Sequence, residues 1–348
     1  MYNTIIDTKI ERLFKLLIWN KFKQNITENK LVTVGDKILL AVSGGPDSVV
    51  MTDLFYKLQK IFKLELVIVN FNHKLRKESS KETELVANLA KQYKIKFISK
   101  IIATKKYASS NKISIEAAGR QLRYKYLEEI AKENKCNKIA TAHNMNDNAE
   151  TVLMWLIRGT GTNGLSGIPY ERKICKNLSI IRPLLSIDRT LIEEHIKKNN
   201  IKFSVDKSNF SFDYTRNKIR LGIIPELKKI NPLVIEHIYE LSKIIYKQNL
   251  YLESKIKIFV TNNVKKQKNK IVLNFKSFLK KDSFLQYAVL REILPDKKRA
   301  IQIKSILKFI NDKKQLHYKL SKYWSVTKTK QNIVFKNNFV LDKINKKQ

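Results

Sequence analysis

Four apolar segments in the first half of the chain are each followed by a segment whose apolar residues recur at helical spacing. Strands that alternate with helices in this way form parallel sheets covered by helices on both faces. The pattern therefore predicts an α/β domain. The predicted strands are Lys37–Val42, Leu64–Phe71, Lys96–Ile102 and Lys138–Thr141, and the predicted helices begin at Ser48, Glu78, Glu116 and Asn146.

The pattern changes in the last third of the chain, where no glycine occurs after residue 222. Apolar residues recur at helical spacing from Leu233 to Val264, which predicts a long helix. Alternating residues at Trp324–Val326 and Asn332–Phe335 predict a terminal hairpin. We therefore predict two domains, with the α/β fold in residues 1–225 and a smaller, mainly helical domain in residues 226–348.

The charge balance is strongly basic, with 69 Lys plus Arg, 31 Asp plus Glu and a formal net charge of +38. Abundant Lys, Asn and Ile are typical of an AT-rich genome, but such a bias would also enrich Glu, and acidic residues are scarce. From residue 223 onward there are 29 basic and 9 acidic side chains. A polyanion such as nucleic acid is therefore the predicted partner, bound mainly by residues 226–348.

Composition also limits the class of protein. No apolar run approaches the roughly 18 residues of a membrane span, and Asp7 and Glu11 near the N-terminus argue against a leader peptide. Cys136 and Cys175 lie far apart without a C-x-x-C pair, which fits a reducing compartment and gives no zinc or iron–sulfur ligand set. These features predict a soluble cytoplasmic protein without a membrane partner.

The sharpest local motif joins the first predicted strand to the first predicted helix, and its residues are Ser43-Gly44-Gly45-Pro46-Asp47-Ser48. Backbone amides in such a turn, together with the N-terminus of the following helix, bind phosphate. The turn is not a Walker loop, because the G-x-x-x-x-G-K-[ST] spacing and its lysine are absent. An ordinary strand-to-helix turn capped by Asp47 or Ser48 accounts for the same residues, so the motif alone leaves both interpretations open.

The motif S-G-G-x-D-S resembles the pyrophosphate-binding loop of the ATP pyrophosphatases, the PP-loop superfamily with its adenine nucleotide alpha hydrolase-like fold. Further motifs follow in order, so that the chain resembles the tRNA(Ile)-lysidine synthetase family over about residues 10–226. They are E-A-A-G-R-Q-L-R-Y from Glu116, T-A-H-N-M-N-D-N-A-E-T from Thr141, R-G-T-G from Arg158, G-L-S-G from Gly164, R-P-L-L from Arg182, and Asp206-x-x-Asn209 leading into Arg216-Asn217-x-x-Arg220.

The resemblance implies an ATP-dependent carbon–nitrogen ligase that acts on the minor isoleucine tRNA with a CAU anticodon. ATP, with Mg²⁺, adenylates the wobble cytidine, and free L-lysine then attacks carbon 2 and expels AMP after pyrophosphate has left. The product switches codon recognition from AUG to AUA and tRNA identity from Met to Ile. A homodimer is compatible with this family.

The resemblance also implies roles for individual residues of the α/β domain. Ser43 to Ser48 and His143 bind the nucleotide, and Asp47 holds Mg²⁺ on the phosphate oxygens. Asp147 and Glu150 are three residues apart on a predicted helix and share a face. They bind the α-amine of lysine or accept a proton from its ε-amine. The default interpretation of this pair is a solvated acidic helix turn.

Arginines of the same motifs are expected to contact phosphate. Arg120 is a candidate to face the α-phosphate or the developing negative charge, because a guanidinium makes bidentate contacts with phosphate. Arg216 and Arg220 are four residues apart and are expected to clamp RNA phosphate. A solvated basic helix face is the alternative for Arg120, and a position that simply flanks a helix start is the alternative for Arg216 and Arg220. Aromatic and Met side chains at helical spacing are expected in the core rather than on RNA bases, namely Met154, Trp155, Tyr239, Tyr246, Tyr251 and Trp324.

Two other functions compete with this interpretation. A PP-loop tRNA thiolase would be expected to contain cysteine pairs, whereas only Cys136 and Cys175 are present. A non-catalytic basic RNA-binding protein would use the glycine turn only as a helix cap, and release of pyrophosphate from ATP distinguishes it from the ligase.

Overall fold

The structure is a computed structural model that describes residues 16–72, 79–204, 215–294, 300–312, 314–321 and 323–337. The chain forms two compact units, Met1–Tyr246 and Lys247–Gln348. The predicted motif Asp206-x-x-Asn209 lies outside the described residues.

A six-stranded sheet forms the centre of the first unit. Its strands are β1 (Lys37–Ala41), β2 (Glu65–Asn72), β3 (Lys96–Ile101), β4 (Lys138–Ala140), β5 (Glu171–Cys175) and β6 (Leu178–Ile181), in the spatial order β3-β2-β1-β4-β6-β5. All neighbouring strands are parallel except β5 and β6. The predicted α/β class and its four strands are confirmed, whereas the β5–β6 hairpin was not predicted.

Helices pack on both faces of this sheet. They are α1 (residues 16–28), α2 (Pro46–Phe62), α3 (Ser79–Tyr93), α4 (Thr104–Asn111), α5 (Ile115–Glu133), α6 (Met145–Arg158), α7 (Thr162–Leu165) and α8 (Arg189–Asn199). Side chains of β1 alternate between the faces. Ile38 and Leu40 belong to one core with Val50 of α2, and Leu39 belongs to a second core with Leu127 of α5.

The position of β1 in the sheet creates a crevice. Because β2 lies on one side of β1 and β4 on the other, the chain leaves β1 and β4 in adjacent loops. Ligands of open α/β sheets bind at such a switch point, outside the carboxyl ends of the strands. The two loops are residues 42–45 and residues 141–144, and both carry motif residues identified in the sequence.

An irregular helix follows α8 in the described part of the chain. It consists of α9 (Thr215–Lys218), a π-helical turn (Ile219–Ile223) and α10 (Ile224–Ile230). The N–H of Ile224 donates to the carbonyl of Ile219, five residues back, as a π-helix requires. Pro225 has no N–H and its ring crowds the preceding turn, which explains why the α-helical hydrogen-bond ladder is interrupted just before it.

The long helix predicted at Leu233–Val264 is present as α11 (Val234–Asn263). Ile235 and Tyr239 of α11 are buried in the core of the first unit. For this reason the boundary between the compact units falls at Tyr246, later than the boundary at residue 225 suggested by composition.

The second unit combines helices with an antiparallel sheet. The predicted terminal hairpin is present as two of its five strands. The strands are β7 (Val264–Gln267), β8 (Lys270–Asn274), β9 (His317–Lys319), β10 (Trp324–Lys328) and β11 (Asn332–Asn337), in the order β7-β8-β11-β10-β9, and the helices are α12 (Phe275–Leu279), α13 (Ser283–Ile293) and α14 (Ala300–Asn311). None of the helices described in either unit is long and apolar enough to cross a membrane.

Lysine occupies backbone positions that usually favour glycine. The φ angle lies between 50° and 55° at Lys30, Lys63, Lys94, Lys112 and Lys135. In this left-handed region a residue with a Cβ costs about 1 kcal/mol relative to glycine. Lys63 is the C-cap of α2 and is exposed, so its side chain offers little packing in return.

We therefore predict that Lys63→Gly raises the free energy of unfolding by about 1 kcal/mol, because it relieves the left-handed strain. Lys60→Gly is the matched control, since Lys60 is exposed in the last turn of the same helix. It should lower the free energy of unfolding by about 0.5–1 kcal/mol. Urea unfolding measures both, and equal effects of the two changes would contradict the prediction.

Candidate active site

The turn after β1 presents backbone N–H groups at the start of α2. Gly44 has φ +90°, which a residue with a side chain rarely adopts. Gly45 is the N-cap of α2, and Pro46 is the first residue of the helix. Ser43 Oγ accepts from the Gly45 N–H at 3.3 Å, and Ser48 Oγ donates to the Gly45 carbonyl at 2.8 Å. The serines therefore hold the glycine turn, and the helix N-terminus behind it favours an anion.

Asp47 lies in the first turn of α2, at the edge of this anion site. Asn144 Nδ2 donates to Asp47 Oδ1 at 2.9 Å, and Arg189 Nη2 lies 3.9 Å from Asp47 Oδ2. Burial, followed by the charge of Asp147, raises the pKa of Asp47 from 3.8 to about 6. Burial makes the ionised form of this carboxylate unfavourable, and a bound cation would stabilise that form. Asp47 is therefore suited to hold a cation.

The loop after β4 places a second acidic residue beside Asp47. Asn144 is the N-cap of α6, and its Oδ1 accepts from the Asp147 N–H at 2.9 Å. In return, Asp147 Oδ2 accepts from the Asn144 N–H at 3.1 Å. This capping box orients Asp147, and the Asn144 side chain also bonds to Asp47. Asn144 is not among the predicted site residues, although its spacing to Asp147 is that of a helix cap.

Two arginines bind the acidic pair of α6. Arg216 Nε donates to Glu150 Oε2 and Arg220 Nε to Glu150 Oε1, each at 2.6 Å. Nη2 of Arg216 and of Arg220 lie 2.9 Å and 3.3 Å from Asp147 Oδ1. Glu150 is only 1% exposed. The residues expected to clamp RNA phosphate are thus the partners of the residues expected to bind lysine.

His143 is half-buried in the loop after β4, next to Thr141. Thr141 Oγ1 is 3.1 Å from His143 Nδ1. Burial, together with the charges of Arg182, Arg216, Arg120 and Arg123, lowers the pKa of His143 well below its usual value. His143 is therefore neutral at physiological pH and is able to donate or accept a hydrogen bond at a nucleotide.

Several other predicted positions lie at the surface. Arg120 is exposed and packs on the ring of Tyr124, with its Cζ 5.3 Å from the ring centroid. Trp155 is 45% exposed, so the prediction that it belongs to the core is wrong. Tyr251 is also exposed, at 62%, whereas Tyr239 is buried as predicted.

Metal-ligand clusters and cysteine pairs are not a feature of this site. No group of three or more His, Cys, Asp or Glu side chains with metal-binding geometry occurs among the described residues. Cys136 precedes β4 and Cys175 ends β5, so both lie at the sheet edge opposite the crevice.

The raised pKa of Asp47 predicts that Asp47→Asn stabilises the fold above about pH 6. Asp47 ionises more easily in the unfolded chain than in the folded protein. The free energy of unfolding of the wild type therefore falls as pH rises through 6, whereas the variant has no group that ionises at this position. The variant should match the wild type near pH 4 and exceed it by about 1–3 kcal/mol at pH 7. Urea unfolding across this pH range measures the difference, and a difference independent of pH would contradict the assignment.

Comparisons with known proteins agree with this geometry. The PP-loop domain family matches residues 16–227. The chain is 43% identical over 243 residues to the tRNA(Ile)-lysidine synthase of Thermosipho africanus, which covers 70% of the chain. It is 38% identical over 279 residues to that of Clostridioides difficile, which covers 79%. It is 41% identical over 222 residues to that of Petrotoga mobilis, which covers 64%.

The chain spans 56% and 59% of the first two of these relatives and 70% of the third. Among solved structures, the U34-tRNA thiolase NcsA of Methanococcus maripaludis, with its [4Fe-4S] cluster, superposes with a TM-score of 0.58 at 20% identity. The superposition covers 68% of this chain and 80% of the thiolase, so the two share a fold. The chain belongs to the PP-loop family and, within it, to the tRNA(Ile)-lysidine synthases.

Proposed function

We propose that the protein ligates free L-lysine to carbon 2 of the wobble cytidine in the CAU anticodon of minor isoleucine tRNA, with ATP as co-substrate. The contact between Asn144 and Asp47 at 2.9 Å carries this proposal. It joins the phosphate-binding turn after β1 to the acidic pair at the start of α6. One crevice thereby contains an anion site and a cation site, as a reaction between ATP and an amine requires.

The first step transfers AMP to the base. The cytidine O2 attacks the α-phosphorus, the bond between this phosphorus and the bridging oxygen breaks, and pyrophosphate leaves. The amides of Gly44 and Gly45 and the N-terminus of α2 would bind the departing phosphates. Mg²⁺ held by Asp47 would neutralise charge on the same oxygens.

In the second step the lysine ε-amine attacks carbon 2, the carbon–oxygen bond breaks, and AMP leaves with the oxygen. The ε-amine must be neutral to attack and loses a further proton afterwards. Asp147 is the better placed acceptor, because it is more exposed than Glu150. Arg216 and Arg220 already donate to carboxylate oxygens of Asp147 and Glu150. Lysine would therefore have to replace one of these contacts or bind beside it.

The basic residues from 226 onward are proposed to hold the tRNA body, as their charge suggests. The described lysines and arginines of this part include many exposed side chains, among them Lys265, Lys266 and Lys268 at the β7–β8 turn. Phosphate contacts of this kind strengthen binding and make it dependent on salt.

The alternative functions have less support. A thiolase that uses cysteines in the crevice disagrees with the positions of Cys136 and Cys175, which lie at the opposite edge of the sheet. A non-catalytic RNA-binding protein would not need Asp47 in a position where burial raises its pKa.

Incubation with ATP, lysine and the minor isoleucine tRNA tests the proposal, followed by mass analysis of the nucleosides. We expect lysidine, with AMP and pyrophosphate formed in equal amounts. Asp47→Asn should abolish the formation of AMP and pyrophosphate and leave tRNA binding nearly unchanged, because Asp47 lies beside the phosphate site. Pyrophosphate without lysidine would contradict the proposed acceptor, and full turnover by the variant would contradict the proposed site.

Substitutions of Asp147 or Glu150 should weaken the use of lysine more than the use of ATP. Asp147→Ala should raise the apparent KM for lysine about tenfold or more, since a charge-assisted contact of about 1.5–3 kcal/mol is lost. The KM for ATP should change little. Glu150→Gln serves as a second variant that preserves shape, because Glu150→Ala would leave the partly buried guanidiniums of Arg216 and Arg220 with Asp147 alone and destabilise the fold. Weaker use of ATP with unchanged use of lysine would assign the pair to the metal site instead.

A further inference from the structure

We propose that Arg120 and Arg172, both held on the ring of Tyr124, form a phosphate-binding surface that takes the RNA backbone beside the target base. The proposal rests on the proposed function for the identity of the RNA. It differs from the predicted RNA site at Arg216 and Arg220, which the structure pairs with carboxylates.

Two guanidiniums converge on one aromatic ring. The Cζ of Arg172 lies 4.8 Å from the Tyr124 centroid, and the Cζ of Arg120 lies 5.3 Å from it. Arg120 and Tyr124 are one turn apart on α5, and Arg172 comes from β5. Both arginines are exposed. Cation–π contacts orient the two guanidiniums and leave their N–H donors available for hydrogen bonds.

A third arginine supports the ring from inside the protein. Arg182 is 4% exposed, donates from Nη1 to the Pro169 carbonyl at 2.5 Å and interacts with the Tyr124 hydroxyl. Its Nε has no hydrogen-bond partner within the described residues. A buried guanidinium without a carboxylate is unfavourable unless it serves an anion nearby. Arg182 therefore adds positive potential beneath the surface.

These arginines have no acidic partners in the part of the chain that the structure describes. The ion pairs found there involve neither Arg120, Arg172 nor Arg182. By contrast, Arg189, Arg216 and Arg220 each lie near a carboxylate. A cluster of one sign attracts an anion from solution, whereas a paired arginine is largely neutralised.

The surface borders the crevice. Arg182 directly follows β6, and the Thr141 N–H at the start of the loop after β4 donates to the carbonyl of the preceding Ile181 at 3.0 Å. Arg172 is paired with Ile180 near the same end of β6. Arg172 lies on β5, however, three strands away from β1, or about 14 Å at the usual strand spacing. The phosphates of an ATP bound at the turn after β1 do not reach Arg172. An RNA backbone that enters the crevice together with the target base does reach it.

The test compares Arg120→Gln, Arg172→Gln and the double variant with Lys125→Gln, a matched control on the exposed side of α5. The probe is an RNA hairpin with the anticodon stem and loop of minor isoleucine tRNA, and its affinity is measured by fluorescence anisotropy over a KCl series. Each lost phosphate contact should reduce the log–log salt slope by about 0.7–0.9. Lys125→Gln should leave the slope unchanged, and Arg172→Lys should largely preserve it.

ATP affinity, measured without RNA, identifies the source of the phosphate. An unchanged ATP affinity of Arg172→Gln together with a reduced slope supports the proposal. An unchanged slope in the double variant overturns it, and so does reduced ATP affinity with an unchanged slope, since the guanidiniums would then serve the nucleotide. The binding assay contains neither ATP nor lysine. Failure of the wild type to form lysidine would therefore refute the proposed function without changing this result.

Discussion

Glu150 is a buried carboxylate, and the neighbouring side chains of the crevice are arranged so that its negative charge is neutralised. Two guanidiniums bind its oxygens and reach onward to Asp147. Through the cap at Asn144, the same network continues to Asp47 beside the phosphate site. Removing one partner from such a network costs about 3–5 kcal/mol, because the remaining charge stays buried. The network thus fixes the segment that carries the arginines against α6 and keeps the cation and anion sites at a constant separation.

The arginines of the crevice fall into two electrostatic groups. Arg216 and Arg220 are compensated by carboxylates and contribute mainly to geometry. Arg120 and Arg172 are held by an aromatic ring, which orients a guanidinium without cancelling its charge. Arg216 of the first group and Arg120 of the second both lower the pKa of His143. Under the proposed function, the crevice would accept a charged backbone, a neutral base and a cationic amine.

Much of the α/β domain follows from the sequence, because buried parallel strands form continuous apolar runs that need no knowledge of their partners. The strands of the second unit are harder to predict. Val264–Gln267 contains one apolar residue, and it forms a strand only because β8 pairs with it. At the site, spacing shows that Arg216 and Arg220 share a helix face but not that this face meets Glu150. Composition likewise changes near residue 225, whereas the packing of Ile235 and Tyr239 extends the first unit further.

The π-helical turn at Ile219–Ile223 lets this segment carry one residue more than a regular α-helical turn would. The turn absorbs the extra residue, so the helix on either side of it keeps the angular relation of a continuous α-helix. Deleting one residue here, such as Gly222, would therefore leave Arg216 facing Glu150. Deleting a second residue would rotate Arg216 by about 100° relative to α10. The segment can thus lose one residue, but not two, without moving its arginines.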